Sequence, residues 1–307
     1  MRLRRSGQSW VVHTPAKLNL FLEILGKRED GFRELETLMV TVGLYDTLVL
    51  TEESTPEISL RCHDVGSTSR MESPATPGTS DKVPDGRDNL AVRAAELLKT
   101  ETGVERGIHI DLFKRIPAAA GLAGGSSDAA AVLFALNRIW QTGLSRDELQ
   151  RLASRIGSDV GFFLSPCPTA LCQGRGEVIR PLHAPLRMHF VIAKPDSGLS
   201  TAEVYRHCRP EDSPRGSQPL IESLQRGDLN TAGRLMFNSL QPPAEALNED
   251  VRELKAAFSS LSLAGHMMSG SGTAYFGICR HRHEARTAAA RLRSAGHSRV
   301  YVLGTPA

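Results

Sequence analysis

The stretch Pro117-Ala-Ala-Ala-Gly121-Leu-Ala-Gly124-Gly125-Ser126-Ser127, called the glycine loop below, decides the fold class because it joins a predicted strand to a predicted helix. Glycines let the backbone approach a ligand closely, and the N–H groups at a helix start favour an anion. The hydroxyls of Ser126 and Ser127 can contact a phosphate or a phosphate-bound Mg²⁺. The loop is suited to hold a polyphosphate, although the loop alone is equally compatible with a structural turn.

Two standard nucleotide-binding patterns do not describe this loop. A dinucleotide fingerprint needs G-x-G-x-x-G spacing and an acidic residue about twenty positions later, and the glycine loop has neither. The Walker pattern needs a lysine after its last glycine, which is also missing here. Other segments must therefore decide the function.

Hydrophobic periodicity predicts the elements on both sides of the loop. Ile108, Ile110 and Leu112 alternate as a strand that leads into the loop. Helical spacing predicts helices over Asn89–Lys99 and Asp128–Trp140, and a third from the cap Ser145 to Ile156. The first half of the chain therefore mixes strands and helices.

Trp10–Ile24 alternates as a strand, with Lys17 and Asn19 on the face opposite the apolar row of leucines. We expect both polar groups to face a common cleft. Glu36–Thr51 predicts a hairpin-like pair with a turn near Gly43–Asp46. Cys62–Arg87 is rich in Ser, Thr, Pro, Gly and Asp and predicts a long surface loop.

In the second half, strands are predicted at His189–Lys194, Ala274–Cys279 and Val300–Leu303, a further element opens at Thr201–Arg206, and helices are predicted over Leu220–Leu240 and Ala244–Leu261. Prolines at 181 and 185 interrupt the pattern. The domain boundary is therefore placed near residue 185, giving an N-terminal domain of residues 1–185 and a C-terminal domain of residues 186–307.

Composition excludes several classes of protein. The chain has 307 residues, of which 40% are hydrophobic, with a formal net charge of +3. This charge is too small to predict nucleic-acid binding, and no apolar run approaches the roughly 18 residues of a membrane span, so a cytoplasmic location is expected. The five widely spaced cysteines predict reduced thiols. Cys167 and Cys172 near His183 match no standard zinc spacing.

Further motifs follow one another along the chain, from Pro15 to about Leu303: Pro15-Ala-Lys-Leu-Asn-Leu20, Asp30-Gly-Phe-Arg-Glu-Leu-Glu-Thr37, Asp88-Asn-Leu90, Gly157-Ser-Asp-Val160, Phe162-Phe163, Gly174-Arg-Gly-Glu177, Lys194-Pro195, Thr201–Tyr205 and Met268-Ser-Gly-Ser-Gly-Thr273. Together with the glycine loop they resemble the GHMP kinase superfamily. Within it they are most similar to the kinases that phosphorylate the 2-hydroxyl of cytidine diphosphate-linked methylerythritol, a step of the non-mevalonate route to isoprenoids.

This resemblance implies a two-domain α+β fold with the active site in the interdomain cleft, and ATP and Mg²⁺ as cofactors. It implies that Lys17 and Asp159 are the catalytic pair. If these opposite charges lie close together, Asp159 should be a weak base, so we expect it to act mainly as an orienting acceptor for the substrate hydroxyl. Without the resemblance, Asp159 would be read as a helix N-cap.

The resemblance also implies which residues bind the two ligands. The family places the adenine near Asn89, and its substrate-binding residues carry over onto Asn19, Phe32, Arg33, Tyr205 and Ser271. It places the ATP phosphates on every residue of the glycine loop, namely Pro117, Ala118, Ala119, Ala120, Gly121, Leu122, Ala123, Gly124, Gly125, Ser126 and Ser127.

Phe32-Arg33 stands where the family usually has Tyr-His. Phe32 can still stack on a base, and Arg33 can donate to cytosine O2 and N3 but offers no acceptor to the exocyclic amine. Asp128 replaces a frequent asparagine, and Ser239 stands within the segment Asn238–Leu240 where aspartate is common. Two alternative functions remain open: another GHMP kinase of the homoserine or phosphomevalonate type, and a non-catalytic nucleotide-binding relative. The oligomeric state, monomer or homodimer, is also open.

Overall fold

The computed structural model describes residues 1–65, 86–182 and 187–306. The strands are β1 (Leu3–Ser6), β2 (Ser9–Lys27), β3 (Arg33–Glu53), β4 (Ile58–Asp64), β5 (Gly107–Lys114), β6 (Thr169–Gly174), β7 (Val178–Pro181), β8 (His189–Lys194), β9 (Phe237–Asn238), β10 (Gly265–Met268), β11 (Tyr275–Cys279) and β12 (Arg299–Gly304).

The helices are α1 (Leu90–Thr102), α2 (Gly124–Ile139), α3 (Arg146–Ile156), α4 (Val160–Phe163), α5 (Thr201–His207), α6 (Gln218–Gln225), α7 (Leu229–Leu235), α8 (Gln241–Leu247), α9 (Glu249–Ser259) and α10 (Arg282–Ser294). A short 3₁₀ helix covers Gly86–Asp88. This mixture of helices and sheets agrees with the predicted α+β class.

The chain packs into two compact units that interleave along the sequence. Unit 1 contains Met1–Ala16, Leu44–Ala118 and Ala123–Pro166, and unit 2 contains Lys17–Gly43, Ala119–Leu122 and Cys167–Ala307. The long strands β2 and β3 therefore each contribute to both units. The predicted boundary at residue 185 lies outside the described residues, so the division into 1–185 and 186–307 stays a prediction.

In unit 1, β1 pairs with the start of β2, and β5 lies between the end of β3, antiparallel, and β4, parallel. Ile108, Ile110 and Leu112 of β5 are fully buried, as their alternation predicts. Helices α1 and α2 pack against each other, and both bury alanines, among them Ala94, Ala95 and Ala130. Small side chains let helices approach closely. A Cβ on Gly124 would lie 3.0 Å from Lys114 Nζ, so the start of α2 lies beside the end of β5.

In unit 2, the first half of β3 pairs with β6, β6 pairs with β7, and β2 pairs in parallel with β9. A second, antiparallel sheet has the order β10-β11-β8-β12. Its strands bury Val191, Tyr275 and Val300 in a core that Phe258 of α9 and Ala289 of α10 complete. Lys17 lies in β2 of the first of these sheets, and a glycine-containing turn at residues 269–272 lies between β10 and β11 of the second.

Several predicted elements are confirmed by the structure. β2, β5, β8, β11 and β12 lie where strands are predicted, and α1 and α3 begin within one residue of their predicted starts. Asn89 accepts the N–H of Ala91, and Ser145 forms a reciprocal capping box with Glu148.

The predicted hairpin over Glu36–Thr51 is wrong, because β3 is continuous through residues 43–46. Asp46 is fully buried, and its carboxylate accepts the backbone N–H groups of Arg115 and Ile116. The Asp46 carboxylate therefore binds backbone groups just beyond the end of β5 and does not stabilise a turn within residues 43–46. The predicted loop Cys62–Arg87 begins too early, since Cys62–Asp64 completes β4 beside β5; residues 66–85 lie outside the described part.

The two long helices predicted in the second half are interrupted. Gly227 has φ 73°, and Asp228 caps α7 after it, so Leu220–Leu240 contains α6, α7 and β9 instead of one helix. Asn248 ends α8 and caps α9. The helix predicted from Asp128 begins earlier, at Gly124, so the last four residues of the glycine loop form its first turn.

Candidate functional site

The Lys17 side chain is the centre of a buried polar network in unit 2. Only 3% of Lys17 is exposed, and its Nζ donates to Asn19 Oδ1 at 2.5 Å and to the carbonyl oxygen of Gly121 at 2.9 Å. Asn19 Nδ2 donates in turn to Thr37 Oγ1, which donates to the carbonyl of Phe21. The predicted shared face of Lys17 and Asn19 is thus confirmed, and their orientation is set by hydrogen bonds across β2 and β3.

A second glycine turn, residues 269–272, approaches this lysine. A Cβ on Gly270 would lie 3.3 Å from Lys17 Nζ and 3.3 Å from Asn19 Oδ1, and Gly270 has φ 55°. Ser269 Oγ donates to the same Gly121 carbonyl that Lys17 contacts. The two glycine-containing segments of unit 2 therefore meet at one ammonium group.

Asn238 holds the second glycine turn in place and was not among the predicted site residues. Its Nδ2 donates to the carbonyls of Met268 and Gly270, and its Oδ1 accepts the N–H of Leu240. The side chain is 4% exposed. The signal in the sequence was the Asn238–Leu240 segment of the family pattern, whose contact with the distant turn no local periodicity reveals.

The backbone of the glycine loop adopts unusual conformations where it meets these residues. Ala119 and Ala123 have positive φ, and Gly121 has φ 70° with its Cα so close to Ser269 that a Cβ would lie 1.9 Å from that residue's carbonyl oxygen. Only glycine fits this position. The left-handed conformation of Ala123 leads directly into α2.

Ala120 and Leu122, two of the loop residues predicted to bind ATP, are buried in the protein. Ala120 is 2% exposed and Leu122 is 1% exposed. The carbonyl oxygen of Ala120 accepts the N–H of Ala274 at 3.2 Å, and that of Leu122 accepts the N–H of Lys17 at 3.1 Å. Both residues therefore use their backbone carbonyls to hold the loop in place. Their predicted ATP contacts stay predictions.

Helix α2 presents its N-terminus without a side-chain cap. Its N-cap residue is Ala123, which has no polar side-chain atom to offer the first-turn N–H groups. The N–H groups of Gly124, Gly125 and Ser126 precede the first helical hydrogen bond, made by Ser127 N–H to Ala123. Such an N-terminus suits an anionic ligand.

The two serines of the loop differ. Ser127 is fully buried, its Oγ donates to the carbonyl of Pro15 at 2.6 Å, and its hydroxyl also contacts Thr14. These bonds tie the first turn of α2 to β2, so the Ser127 hydroxyl does not fit the role of a Mg²⁺ ligand. Ser126 is half-buried. The predicted ATP contacts of the other loop residues stay predictions.

A buried trio of charged side chains lies beneath the same helix start. Lys114, at the end of β5, contacts Asp46 and Asp128, with Nζ 2.7 Å from Asp128 Oδ2. Burial raises the pKa of Asp128 to about 7, with Asp46 adding to the rise and Lys114 opposing it. The two carboxylates raise the pKa of Lys114 despite its burial.

Asp159 lies at the N-cap position of α4, yet its side chain makes no capping hydrogen bond to that helix. The N-cap interpretation therefore does not account for its carboxylate, which is half-buried. Asp159 belongs to unit 1 and Lys17 to unit 2. Their action as a catalytic pair stays a prediction.

Three of the predicted substrate residues lie close together in unit 2. Arg33 donates from its guanidinium to the carbonyl of Tyr205 at 3.2 Å. Phe32 is 49% exposed, and the Arg175 guanidinium lies over its ring at 4.5 Å from the centroid. Ser271, in the second glycine turn, pairs with the hydroxyl of Thr201.

Among the described residues, no group of three or more His, Cys, Asp or Glu side chains could hold a metal ion. The hypothesis of a site at Cys167, Cys172 and His183, disfavoured from the spacing, includes His183, which lies outside the described residues. No described helix is long and apolar enough to cross a membrane.

Residues 89–165 match the family described as GHMP kinases N terminal domain, and residues 220–298 match GHMP kinases C terminal. The chain is 40% identical to the 4-diphosphocytidyl-2-C-methyl-D-erythritol kinase of Pelotomaculum thermopropionicum over 91% of this chain and 92% of that protein. The chain belongs to this family of GHMP kinases.

Solved structures agree with the assignment. A crystal structure of a 4-(cytidine 5'-diphospho)-2C-methyl-D-erythritol kinase is 36% identical, with a TM-score of 0.75, and the match covers 97% of this chain and 100% of that one. A homoserine kinase from Cytophaga hutchinsonii has a TM-score of 0.71 at 18% identity, covering 100% of this chain and 97% of that one. The second likeness shows the fold alone.

Proposed function

We propose that this kinase transfers the terminal phosphoryl group of ATP to the 2-hydroxyl of 4-diphosphocytidyl-2-C-methyl-D-erythritol. The family membership supports the reaction class and the substrate. The single observation that carries the site is the buried Lys17 ammonium, held where the Gly121 carbonyl meets Gly270. A cation between two glycine-containing backbone segments suits the transfer of a phosphoryl group.

The reaction forms a bond between the acceptor oxygen and the terminal phosphorus and breaks the bond to the bridging oxygen, releasing ADP and a proton. The transition state is loose, so catalysis depends on positioning and on stabilising negative charge. The uncapped N-terminus of α2 binds phosphate oxygens, and Lys17 stabilises charge on the transferring group. Asp159 accepts the hydrogen bond of the attacking hydroxyl and orients it.

Mg²⁺ would neutralise part of the charge on the bound triphosphate. It prefers oxygen ligands and usually keeps several waters. The Asp159 carboxylate, which makes no capping bond in α4, fits this preference, whereas the buried Ser127 hydroxyl does not. The steps assigned to Lys17 and to the α2 N-terminus do not depend on which residue contacts the ion.

Recognition of the cytosine base is assigned to Phe32, Arg33 and Tyr205. The exposed ring of Phe32 offers a stacking surface. The Arg33 guanidinium has five N–H donors, of which the bond to the Tyr205 carbonyl uses one, so donors remain for O2 and N3 of cytosine. Uracil presents a donor at N3 and would meet another donor there.

A coupled assay of ADP release tests this function. We expect turnover with the cytidylyl acceptor, a value of kcat/KM at least about tenfold lower with the uridylyl analogue because two donors would face each other, and none with homoserine. Equal rates with the cytidylyl and uridylyl acceptors would refute the assigned base recognition. Turnover of homoserine without turnover of the cytidylyl acceptor would overturn the proposed substrate.

A further inference from the structure

The trio of Asp46, Lys114 and Asp128 is buried in unit 1, where charged side chains are costly unless they are paired. Their side chains are exposed by 0%, 7% and 2% respectively. One ammonium thus serves two carboxylates. With all three groups ionised, the trio would carry a net negative charge inside the protein.

The two carboxylates are held differently. Asp46 Oδ1 accepts the N–H groups of Arg115 at 2.6 Å and of Ile116 at 2.9 Å, and Oδ2 contacts Lys114. Asp128 accepts from Lys114 through Oδ2 alone. Within the described residues, its buried Oδ1 has no hydrogen-bond partner.

A buried carboxylate oxygen without a donor strongly favours the neutral acid. Asp46 accepts from three donors and Asp128 from one, so a proton added to the trio belongs on Asp128. The rise in its pKa to about 7 agrees with this contact pattern. At neutral pH the protonated and ionised forms of Asp128 therefore coexist.

The trio lies directly beneath the phosphate-binding end of α2. A Cβ built on Gly124, the first residue of α2, would lie 3.0 Å from Lys114 Nζ. Asp128 follows Gly124 by four residues, about one helical turn. Ionised Asp128 thus places an uncompensated negative charge close to the N–H groups that would receive the triphosphate.

The charged groups that face Asp128 come from two strands, Lys114 of β5 and Asp46 of β3. The helices α1, α3 and α4 also pack against α2, and the residues they bury are apolar. A bound polyanion is therefore the main additional charge that the Asp128 site would experience on ligand binding.

We propose that Asp128 is a positioning residue of the nucleotide site, which takes up a proton when a triphosphate binds at the start of α2. This proposal rests on the proposed function, because it assumes that the glycine loop binds ATP. Bound phosphates disfavour the ionised carboxylate, and by linkage the ionised carboxylate weakens phosphate binding to the same degree. In the family the frequent residue here is asparagine, which cannot titrate.

Calorimetric titration with a non-hydrolysable ATP analogue and Mg²⁺, without acceptor, measures how many protons the protein takes up on binding. Titrations are made at a pH above the second pKa of the analogue's terminal phosphate, measured for its Mg²⁺ complex without protein, so that this group stays ionised. Buffers of different ionisation enthalpy report the number of protons taken up. We expect a fractional uptake by the wild type that Asp128→Asn abolishes.

The affinity should change with pH in parallel. Suppose that bound phosphates raise the pKa of Asp128 by about one unit. The Kd of the wild type then rises about tenfold as the pH increases from below the pKa of Asp128 in the free protein to above its pKa in the complex, while the Kd of Asp128→Asn stays nearly constant. Asp147→Asn removes an exposed carboxylate from the first turn of α3 and is the matched control, expected to behave like the wild type.

Equal proton uptake by the wild type and Asp128→Asn would overturn the proposal. So would the absence of uptake by the wild type, which needs no variant and remains decisive if Asp128→Asn fails to fold. Failure of the proposed function is a separate outcome. A protein that binds the analogue with proton uptake but phosphorylates no tested acceptor would retain this role for Asp128 and lose the proposed substrate.

Discussion

At the scale of single residues, the site uses polar groups that the fold has already oriented. Lys17 and Asn19 share one face of β2, and each is held by a hydrogen bond to a neighbouring segment. A fixed ammonium loses little entropy when a phosphoryl group arrives. Asp159 makes no capping bond to α4, and in the proposed mechanism its carboxylate accepts the hydrogen bond of the substrate hydroxyl.

Replacing Asp159 by alanine should lower kcat by about 10²- to 10⁴-fold, the usual range for a group that assists proton transfer. The Kd for ATP should change by less than about threefold, because the N–H groups of the glycine loop that hold the phosphates are intact. Steady-state rates and calorimetric ATP titration measure the two quantities. An ATP affinity that fell in parallel with kcat would contradict the orienting role.

Replacing Arg33 by methionine should raise KM for the cytidylyl acceptor about 10- to 100-fold, consistent with the loss of about 1–3 kcal/mol from an unpaired polar group. KM for ATP should stay unchanged. Arg33→Lys is the matched variant, since it keeps the charge but loses the planar fork that contacts the Tyr205 carbonyl. Wild-type KM values in both variants would show that Arg33 is only a surface cation.

The sequence predicted those site residues that a nearby pattern or motif identifies. The strand alternation placed Lys17 beside Asn19, and the resemblance supplied their role. Asn238 and Ser269 escaped because their partners, the carbonyls of Gly270 and Gly121, lie far away in the chain or belong to the backbone. Asp128 was noticed as a departure from the family, but its pairing with Lys114 and Asp46 requires the fold.

The same limit applies inside the glycine loop. The motif treats its eleven residues as one ATP-binding unit, and it carries no signal for which side chains turn inward. Ala120 is buried because its carbonyl pairs with Ala274, a residue more than 150 positions away. Such a contact becomes visible only when the second glycine turn is placed beside the first.

At the scale of elements, two glycine-containing turns form the surroundings of Lys17. Gly121 is needed for two separate reasons, its φ of 70° and the absence of space for a Cβ beside Ser269. Helix α2 begins within the same loop, at Gly124, directly after the left-handed Ala123.

Replacing Gly121 by alanine should lower kcat/KM by at least about 100-fold, because the Ser269 contact must move and carry the Lys17 acceptor with it. Gly143→Ala is the matched control: Gly143 has the same φ of 70° but nothing within 4 Å of its added Cβ. It should cost only the backbone strain, about 1 kcal/mol of unfolding free energy, and keep activity. Steady-state rates and urea unfolding test both variants, and equal activity losses would contradict the steric argument.

Helices and strands with a regular spacing of apolar residues were predicted well. Turns and helix ends that depend on a single polar residue were not. β5 and α3 follow their apolar patterns and the Ser145 cap. The turn expected near Asp46 does not form because this carboxylate is used by Arg115 and Ile116 across the sheet. Asp228 and Asn248 each cap a new helix inside a stretch whose apolar spacing suggests one continuous helix.

At the scale of the whole molecule, the chain interleaves its two compact units, since β2 and β3 each contribute to both. One domain boundary, chosen from composition and proline positions, cannot describe two units that each contain several separate segments of the chain. The two family matches, at residues 89–165 and 220–298, nevertheless fall on opposite sides of residue 185.

The buried trio also makes the stability of the molecule depend on pH. The pKa of Asp128 is raised to about 7 in the folded chain, whereas an unfolded aspartate titrates near a pKa of about 3.9. Between about pH 4 and pH 7 the folded chain therefore holds a proton that the unfolded chain has released. The unfolding free energy contributed by this group falls as the pH rises through that window and is constant above it.

Asp128→Asn should remove this dependence. Relative to the wild type, the variant should gain stability between about pH 5 and pH 8, by on the order of 2 kcal/mol. Urea unfolding of both proteins at the two pH values measures the difference, in which the other titrating groups cancel. Asp147→Asn should show no such change because its carboxylate is exposed. An Asp128→Asn difference that is the same at both pH values would mean that Asp128 is already ionised at the lower pH in the folded protein, and the positioning role proposed for its proton would fail with it.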